Sequence, residues 1–242
     1  MRTMTSVLLF AAVASGAIAQ DGPEIPRFSS APPGGLPPGW EQGHLTSFKT
    51  ETEYKLVTED GAVVLKATAH NAASFLGTHA DFDPHRFSSL SWRWKVMQPI
   101  AGADTTDRRR EDAPARIMVS FDGDKSKLPL KDRAAASAAQ SISGQPLPYA
   151  QLMYIWGSKV AVDSITTSAL TSRIRMLAVA ADDNGIGKWQ SYTRNLVEDF
   201  KRAFDEEPGK VIAITLMTDT DNTNGDAVTF YGDIEVRAAA KP

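Results

Sequence analysis

The sequence predicts a mainly β protein, an antiparallel β-sandwich of jelly-roll or galactose-binding-like type with two accessory helices. Three observations carry that expectation. Short alternating or β-branched apolar runs recur along the chain, bounded by Gly, Asp and Asn turns. Only two stretches have helical character, and no internal repeat or low-complexity linker divides the 242 residues. One large sandwich domain over 40–237 accounts for this pattern more simply than two small domains.

Residues 1–19 read as an address. Arg2 supplies a positive start, Ser6 to Ala14 is a short apolar core, and Ala17-Ile18-Ala19 before Gln20 fits a small-residue cleavage site. The apolar run is well short of the ~20 residues that span a bilayer. Export to the periplasm or medium is expected, with no membrane span after cleavage. Residues 20–39, rich in Pro and Gly, read as an extended lead-in outside the domain.

The first hairpin joins 54–57 to 62–67 through Asp60-Gly61. A strand at 90–96 follows, with Leu90, Trp92, Trp94 and Val96 on one face; that aliphatic company assigns the two tryptophans to the core. Next comes 115–121, running into Asp122-Gly123. An Ala-rich helix is predicted over 131–143, stopped by Gly144. Strands at 151–156 and 173–180 precede a second helix over 190–204, with Leu196, Val197, Phe200, Ala203 and Phe204 on its apolar stripe. The closing unit, 211–217 and 227–234 around an acidic loop, reads as a β-hairpin.

With 26 basic and 29 acidic side chains, the net charge of −3 recommends neither nucleic acid nor an anionic membrane as partner. The chain has no cysteine, which removes a disulfide framework, a lipoprotein anchor and a thiol nucleophile. Motifs for a Ser hydrolase elbow, a phosphate loop and a His-Glu-x-x-His zinc site are absent. The histidines at 44, 70, 79 and 85 lack zinc-site spacing and read as surface or turn residues.

Five cations sit mid-strand: Arg93, Lys95, Arg116, Arg173 and Arg175. On one reading they grip a carboxylate or sulfate of an acidic oligosaccharide. On the other they pair with Asp104, Asp107, Glu111 and Asp112 from a neighbouring loop. Replacing Arg93 and Arg116 together by Ala is then expected to abolish acidic-glycan binding and leave folding intact.

The loop 219–226 alternates oxygen-bearing residues but breaks the EF-hand pattern, since Gly225 comes one place late and Phe230 occupies the position of the bidentate Glu. Asp219, Asp221 and Asp233 either hold a structural calcium or form an Asx-rich turn. Trp40, Trp156 and Trp189 are the tryptophans nearest turns or strand ends, where a sugar ring could stack. Paired carboxylates for a glycosidase would come from Asp112, Asp199, Asp219 and Asp221.

Four ordered segments, Ser91-Trp92-Arg93-Trp94-Lys95-Val96, Asp112-Ala113-Pro114-Ala115-Arg116-Ile117, Leu216-Met217-Thr218-Asp219-Thr220-Asp221-Asn222-Thr223 and Tyr231-Gly232-Asp233-Ile234, resemble those of an exported bacterial family, domain of unknown function 3047. The likeness runs from Phe28 to Ile234. It departs at Ala181-Asp182-Asp183-Asn184, where relatives carry a shorter Ser-Gly turn. The family implies no functional residues. More loosely, the chain is similar to jelly-roll carbohydrate-binding modules. The expected function is an exported, non-catalytic module binding glycan in the cell envelope. The alternatives are a carbohydrate-active hydrolase or lyase and an envelope protein-interaction module.

Overall fold

The computed structural model describes residues 22–46, 48–144, 146–181, 183 and 185–239; the predicted address segment lies outside them. The strands are β1 (Glu41–His44), β2 (Glu53–Glu59), β3 (Ala62–His70), β4 (Ser74–Phe82), β5 (Ser89–Val96), β6 (Ala113–Phe121), β7 (Ala150–Gly157), β8 (Ile165–Thr167), β9 (Ile174–Ala181), β10 (Gln190–Asn195), β11 (Val211–Asp219), β12 (Asp226–Tyr231) and β13 (Glu235–Arg237). Helices α1 (Leu130–Ser143) and α2 (Leu196–Phe204) interrupt them.

These strands form a β-sandwich. One sheet has seven strands in the order β1-β4-β11-β6-β7-β9-β8. The other has six, ordered β10-β5-β12-β3-β2, with β13 also beside β5. Pairing is antiparallel except between β7 and β9, which run parallel. The sandwich is thus mainly antiparallel, as expected, with one exception: the 158–173 connection carries β8 and returns the chain in the same direction.

Alternation along each strand builds the core between the sheets. Leu90, Trp92, Trp94 and Val96 of β5 are all buried, as their shared face predicts. Trp92 packs on Tyr154 of the opposite sheet at 5.0 Å and on Tyr192 at 5.3 Å. Two core tyrosines give their hydroxyls to backbone carbonyls, Tyr54 to Ser74 O at 2.8 Å and Tyr231 to Met217 O at 3.0 Å, and Tyr154 donates to the Asp199 carboxylate at 3.1 Å. These hydroxyls are thereby satisfied, whereas the indole N–H groups of Trp92 and Trp94 are buried without a hydrogen-bond acceptor among the described residues.

The Asp60-Gly61 hairpin forms, both residues having positive φ, of 50° and 80°. The closing unit is not a hairpin. β11 lies between β4 and β6, whereas β12 lies between β3 and β5, so the acidic loop arches from one sheet to the other. Alternation shows that both segments are strands but carries no information about which strands they pair with.

The second predicted helix is half strand. Gln190–Asn195 pairs along β5, setting Tyr192 against Trp92, and only Leu196–Phe204 is helical. Asn195 makes the switch, its carboxamide oxygen accepting from Val197 N at 3.1 Å and Glu198 N at 3.3 Å. Helix α1 stands where predicted, and Gly144 closes it in the left-handed region at φ 75°.

The lead-in belongs to the domain. Phe28 is fully buried against Trp40 at 5.1 Å, Ile25 is buried beside it, and Gly34 bridges to Leu56. Two apolar side chains among prolines suffice to dock an irregular segment, so the compact unit begins before residue 40. No helix among the described residues is long and apolar enough to cross a membrane.

Candidate binding groove

The outward face of the seven-stranded sheet carries a groove of about 530 Å³. That volume falls within the range of small-ligand sites. Register defines its floor. Thr215, Met118 and Met153 stand opposite one another on β11, β6 and β7, and Met176 continues the row on β9 beyond the lining. Met217 pairs with Phe75 on one side and Arg116 on the other. A polar row lies alongside, in which Ser120 faces Gln151 and receives its amide hydrogen bond at 3.2 Å.

The chain has seven methionines; after Met1 and Met4, only Met97 lies off this face. Outward positions of a solvated sheet ordinarily take polar residues. Here Met118, Met176 and Met217 are buried, Met118 and Met217 in a cluster with Ala73, Leu45, Phe75 and Met153. The walls come from Leu45 and Lys49 on one side, and from Lys125, Pro146, Leu147, Pro148 and Leu170 on the other.

One end of the groove is charged. Arg116 is 4% exposed and grips Asp219 with both oxygens engaged, Nε to Oδ1 at 2.9 Å and Nη2 to Oδ2 at 3.1 Å. It also donates to Glu111 O and lies 3.8 Å from the Glu111 carboxylate. Burial pushes the Asp219 carboxyl up to about 6, with Arg116 pulling against it. Burial likewise raises Glu111. The same burial opposes charge on Arg116, but Asp219 and Glu111 outweigh it and raise its pKa.

Asp219 and Asp221 meet here with Asp112, their oxygens within 4.8 Å of one another. Asp233, the other predicted calcium ligand, is elsewhere, accepting from Ser29 N at 3.0 Å and Ser29 Oγ at 2.5 Å. Protein donors already occupy the trio. Asp112 takes Asn222 N, Thr223 N and the Thr223 hydroxyl at 2.6–3.1 Å, and Asp221 takes Lys49 at 2.5 Å. A calcium ion would have to displace Lys49 and compete with Arg116, so the donor set fits a charge-paired network better than a cation site.

The five mid-strand cations do not share a face. Arg93 and Lys95 lie outside the six-stranded sheet, where Arg93 stacks over Trp189 at 4.5 Å. Lys95 pairs with Glu59 and with Asp60 at 2.8 Å. Burial works against its charge, yet these two carboxylates raise its pKa. Arg116 alone reaches the groove. Arg173 and Arg175 lie over Phe204 of α2 at 4.9 and 5.8 Å, and Arg173 pairs with Glu206. Strand alternation places a side chain on one face or the other, but which face of which sheet is a tertiary fact.

Of the three candidate stacking tryptophans, Trp40 and Trp156 are buried. Trp189 is half-buried on the far sheet and donates to Asp60 at 2.8 Å. Asp199 is buried in a clamp of Arg194, Arg202 and Tyr154, away from the groove. Sequence reasoning missed Phe75, Met118, Met153, Met217 and Lys125. The available signal was methionine recurring at outward positions of β6, β7, β9 and β11.

All four segments that carry the family resemblance lie within this framework, on β5, β6, β11 with its arch, and the β12–β13 bend. The family model described as "Protein of unknown function (DUF3047)" matches residues 38–235. The chain belongs to the DUF3047 family. No curated protein matches it in sequence.

Solved structures similar to this DUF3047 chain include the carbohydrate recognition domain of Emp47p, at 12% identity and TM-score 0.45, covering 94% of this chain and 100% of that one. The K3 cleaved adhesin domain of Lys-gingipain from Porphyromonas gingivalis W83 is 8% identical with TM-score 0.39, covering 90% and 100%. The family 30 carbohydrate-binding module of a Clostridium thermocellum cellulosomal cellulase is 11% identical with TM-score 0.37, covering 93% and 97%. At these values the likenesses carry no argument about ligand.

Proposed function

We propose that this DUF3047 protein is an exported, non-catalytic binding module that holds an acidic oligosaccharide in the groove of the seven-stranded sheet. The observation that carries the reading is Lys125. Its ammonium stands in the groove wall, donates to Leu147 O at 2.8 Å, and has no carboxylate partner among the described residues. It is therefore available to an anionic sugar, while Ser120, Gln151 and Thr215 offer hydroxyl and amide partners along the floor. The leader-like residues 1–19 support export.

A second reading, a carbohydrate-active hydrolase, draws on the convergence of Asp112, Asp219 and Asp221 at the groove end. Against it, Arg116 engages both oxygens of Asp219, leaving Asp221 without a free acid–base partner. Calorimetric titration of the mature protein with uronic-acid oligosaccharides and neutral ones tests the proposal. Saturable binding of the acidic series, weakened tenfold or more by Lys125→Ala, is expected. Equal binding of both series by wild type and variant refutes the role of Lys125. Release of reducing ends would establish the hydrolase.

A further inference from the structure

We infer that the groove has a subsite for an apolar chain, so that its ligand is an amphiphile: an acidic saccharide bearing an alkyl or acyl tail. This deepens the proposed function and rests on it for the identity of the headgroup.

The floor makes the argument. Met118, Met153, Met217, Phe75 and Ile174 give it five apolar side chains, and no tryptophan or tyrosine is among the described lining residues. A bare pyranose is held by a flat aromatic face and a ring of hydrogen-bond donors and acceptors. Methionine offers neither. Its thioether chain is flexible and polarizable, and adapts to an apolar partner of variable shape.

The rim continues the same chemistry. Phe48, 83% exposed, stands between the groove residues Leu45 and Lys49 in sequence, and Leu170 on the other wall is 45% exposed. Lone exposed apolar residues are ordinary. Leu170 lines the methionine-floored groove and extends the apolar track along its wall, whereas Phe48 flanks the lining residue Lys49 in sequence only. Lys125 at one wall supplies the complement to an anionic headgroup.

A soft metal ion is the competing occupant for clustered thioethers. The guanidinium of Arg116 lies against Met176, Nη1 to Sδ at 3.6 Å, and a fixed positive charge at that distance repels a second cation. The acidic cluster at the end of the groove already has its protein donors. An apolar chain meets neither objection.

The test is calorimetric titration of the mature protein with methyl β-D-glucuronide, dodecyl β-D-glucuronide, dodecyl maltoside and dodecanoate, each below its micellar concentration. The inference expects dodecyl glucuronide to bind at one-to-one stoichiometry, at least 30-fold tighter than methyl glucuronide. Met153→Gln, which keeps length and places an amide on the floor, should remove most of that gain. Leu170→Ser, at a lining residue that is 45% exposed, should reduce it severalfold while thermal melts stay near wild type. Equal affinity for the two glucuronides overturns the chain subsite while leaving the acidic-sugar reading standing. Equal affinity for all three dodecyl compounds retains the subsite and overturns the sugar reading. No saturable binding to any compound overturns both.

Discussion

Replacing Arg116 by methionine should damage the fold before it affects any ligand. The side chain is 4% exposed, and its loss leaves Asp219, also 4% exposed, with only the Ala113 amide at 3.2 Å as donor among the described residues. Asp112 and Asp221 remain close by as like charges. Breaking a buried pair by removing one partner costs about 3–5 kcal/mol. For a domain of this size each kcal/mol lowers Tm by about 2–4 °C, so the expected loss is about 6–20 °C. The double variant Arg116→Met, Asp219→Leu should recover most of it, because an apolar residue at 116 would join Met217 and Ile155, its cross-strand neighbours. Differential scanning calorimetry on wild type, both single variants and the double variant reads the coupling directly. A loss below about 1 kcal/mol for Arg116→Met, or a double variant as unstable as the single, would refute the reasoning. It would also return Arg116 to the role of a free ligand-binding cation, one of the two readings the sequence left open.

Asp112→Ala removes the acceptor for three donors of the 222–223 arch and should cost about 2–3 kcal/mol, with faster amide exchange at Asn222 and Thr223. Asp219 titrates at about 6 in the fold against 3.8 unfolded, so its contribution is fully present below the unfolded value and is lost as pH rises through about 6. Asp219→Asn should therefore flatten the stability profile between about pH 4 and 6, and an unchanged profile by thermal melts would contradict the shift. Calcium or EDTA should leave Tm within about 1 °C. A rise of several degrees on adding calcium would show that the Asp trio takes the ion in place of Lys49. Gly43→Ala would place a Cβ 2.3 Å from the Phe75 ring, pushing that ring toward the groove. Melts should show a cost of about 1–3 kcal/mol, and titration a weakened ligand site.

Fold class was legible because alternation is local: the Leu90–Val96 face and the Asp-Gly hairpin can be read residue by residue. β4 escaped because Ser74, Gly77, His79 and Asp81 dilute its pattern, although Leu76, Ala80 and Phe82 still face the core. β10 escaped because its six residues lead without a break into an amphipathic helix, and only the Asn195 cap marks the change. The arch was read as a hairpin because two adjacent strands with a turn between them have the same local signature whether or not they pair.

Local alternation also explains why the sequence left the cations with two readings. Each of the five stands opposite apolar neighbours, which suggests a common polar face, yet the sandwich sends them to three surroundings. What decides their roles is whether a partner arrives from elsewhere in the chain: Asp219 for Arg116 from 103 positions away, Glu206 for Arg173 from 33, and Asp60 for Lys95 from 35. A mid-strand charge that acquires such a partner becomes part of the fold. Lys125, in a short 3-10 turn rather than a strand, acquires only a carbonyl among the described residues. On this reasoning a binding cation in a sandwich is sought at loop positions beside an apolar floor, where no neighbouring strand can neutralise it. Interchanging the tests sharpens the point: Arg93→Ala with Lys95→Ala should leave groove binding untouched, whereas Lys125→Ala alone should reduce it. The reverse result would move the site to the six-stranded sheet, where Trp189 would then be the stacking platform.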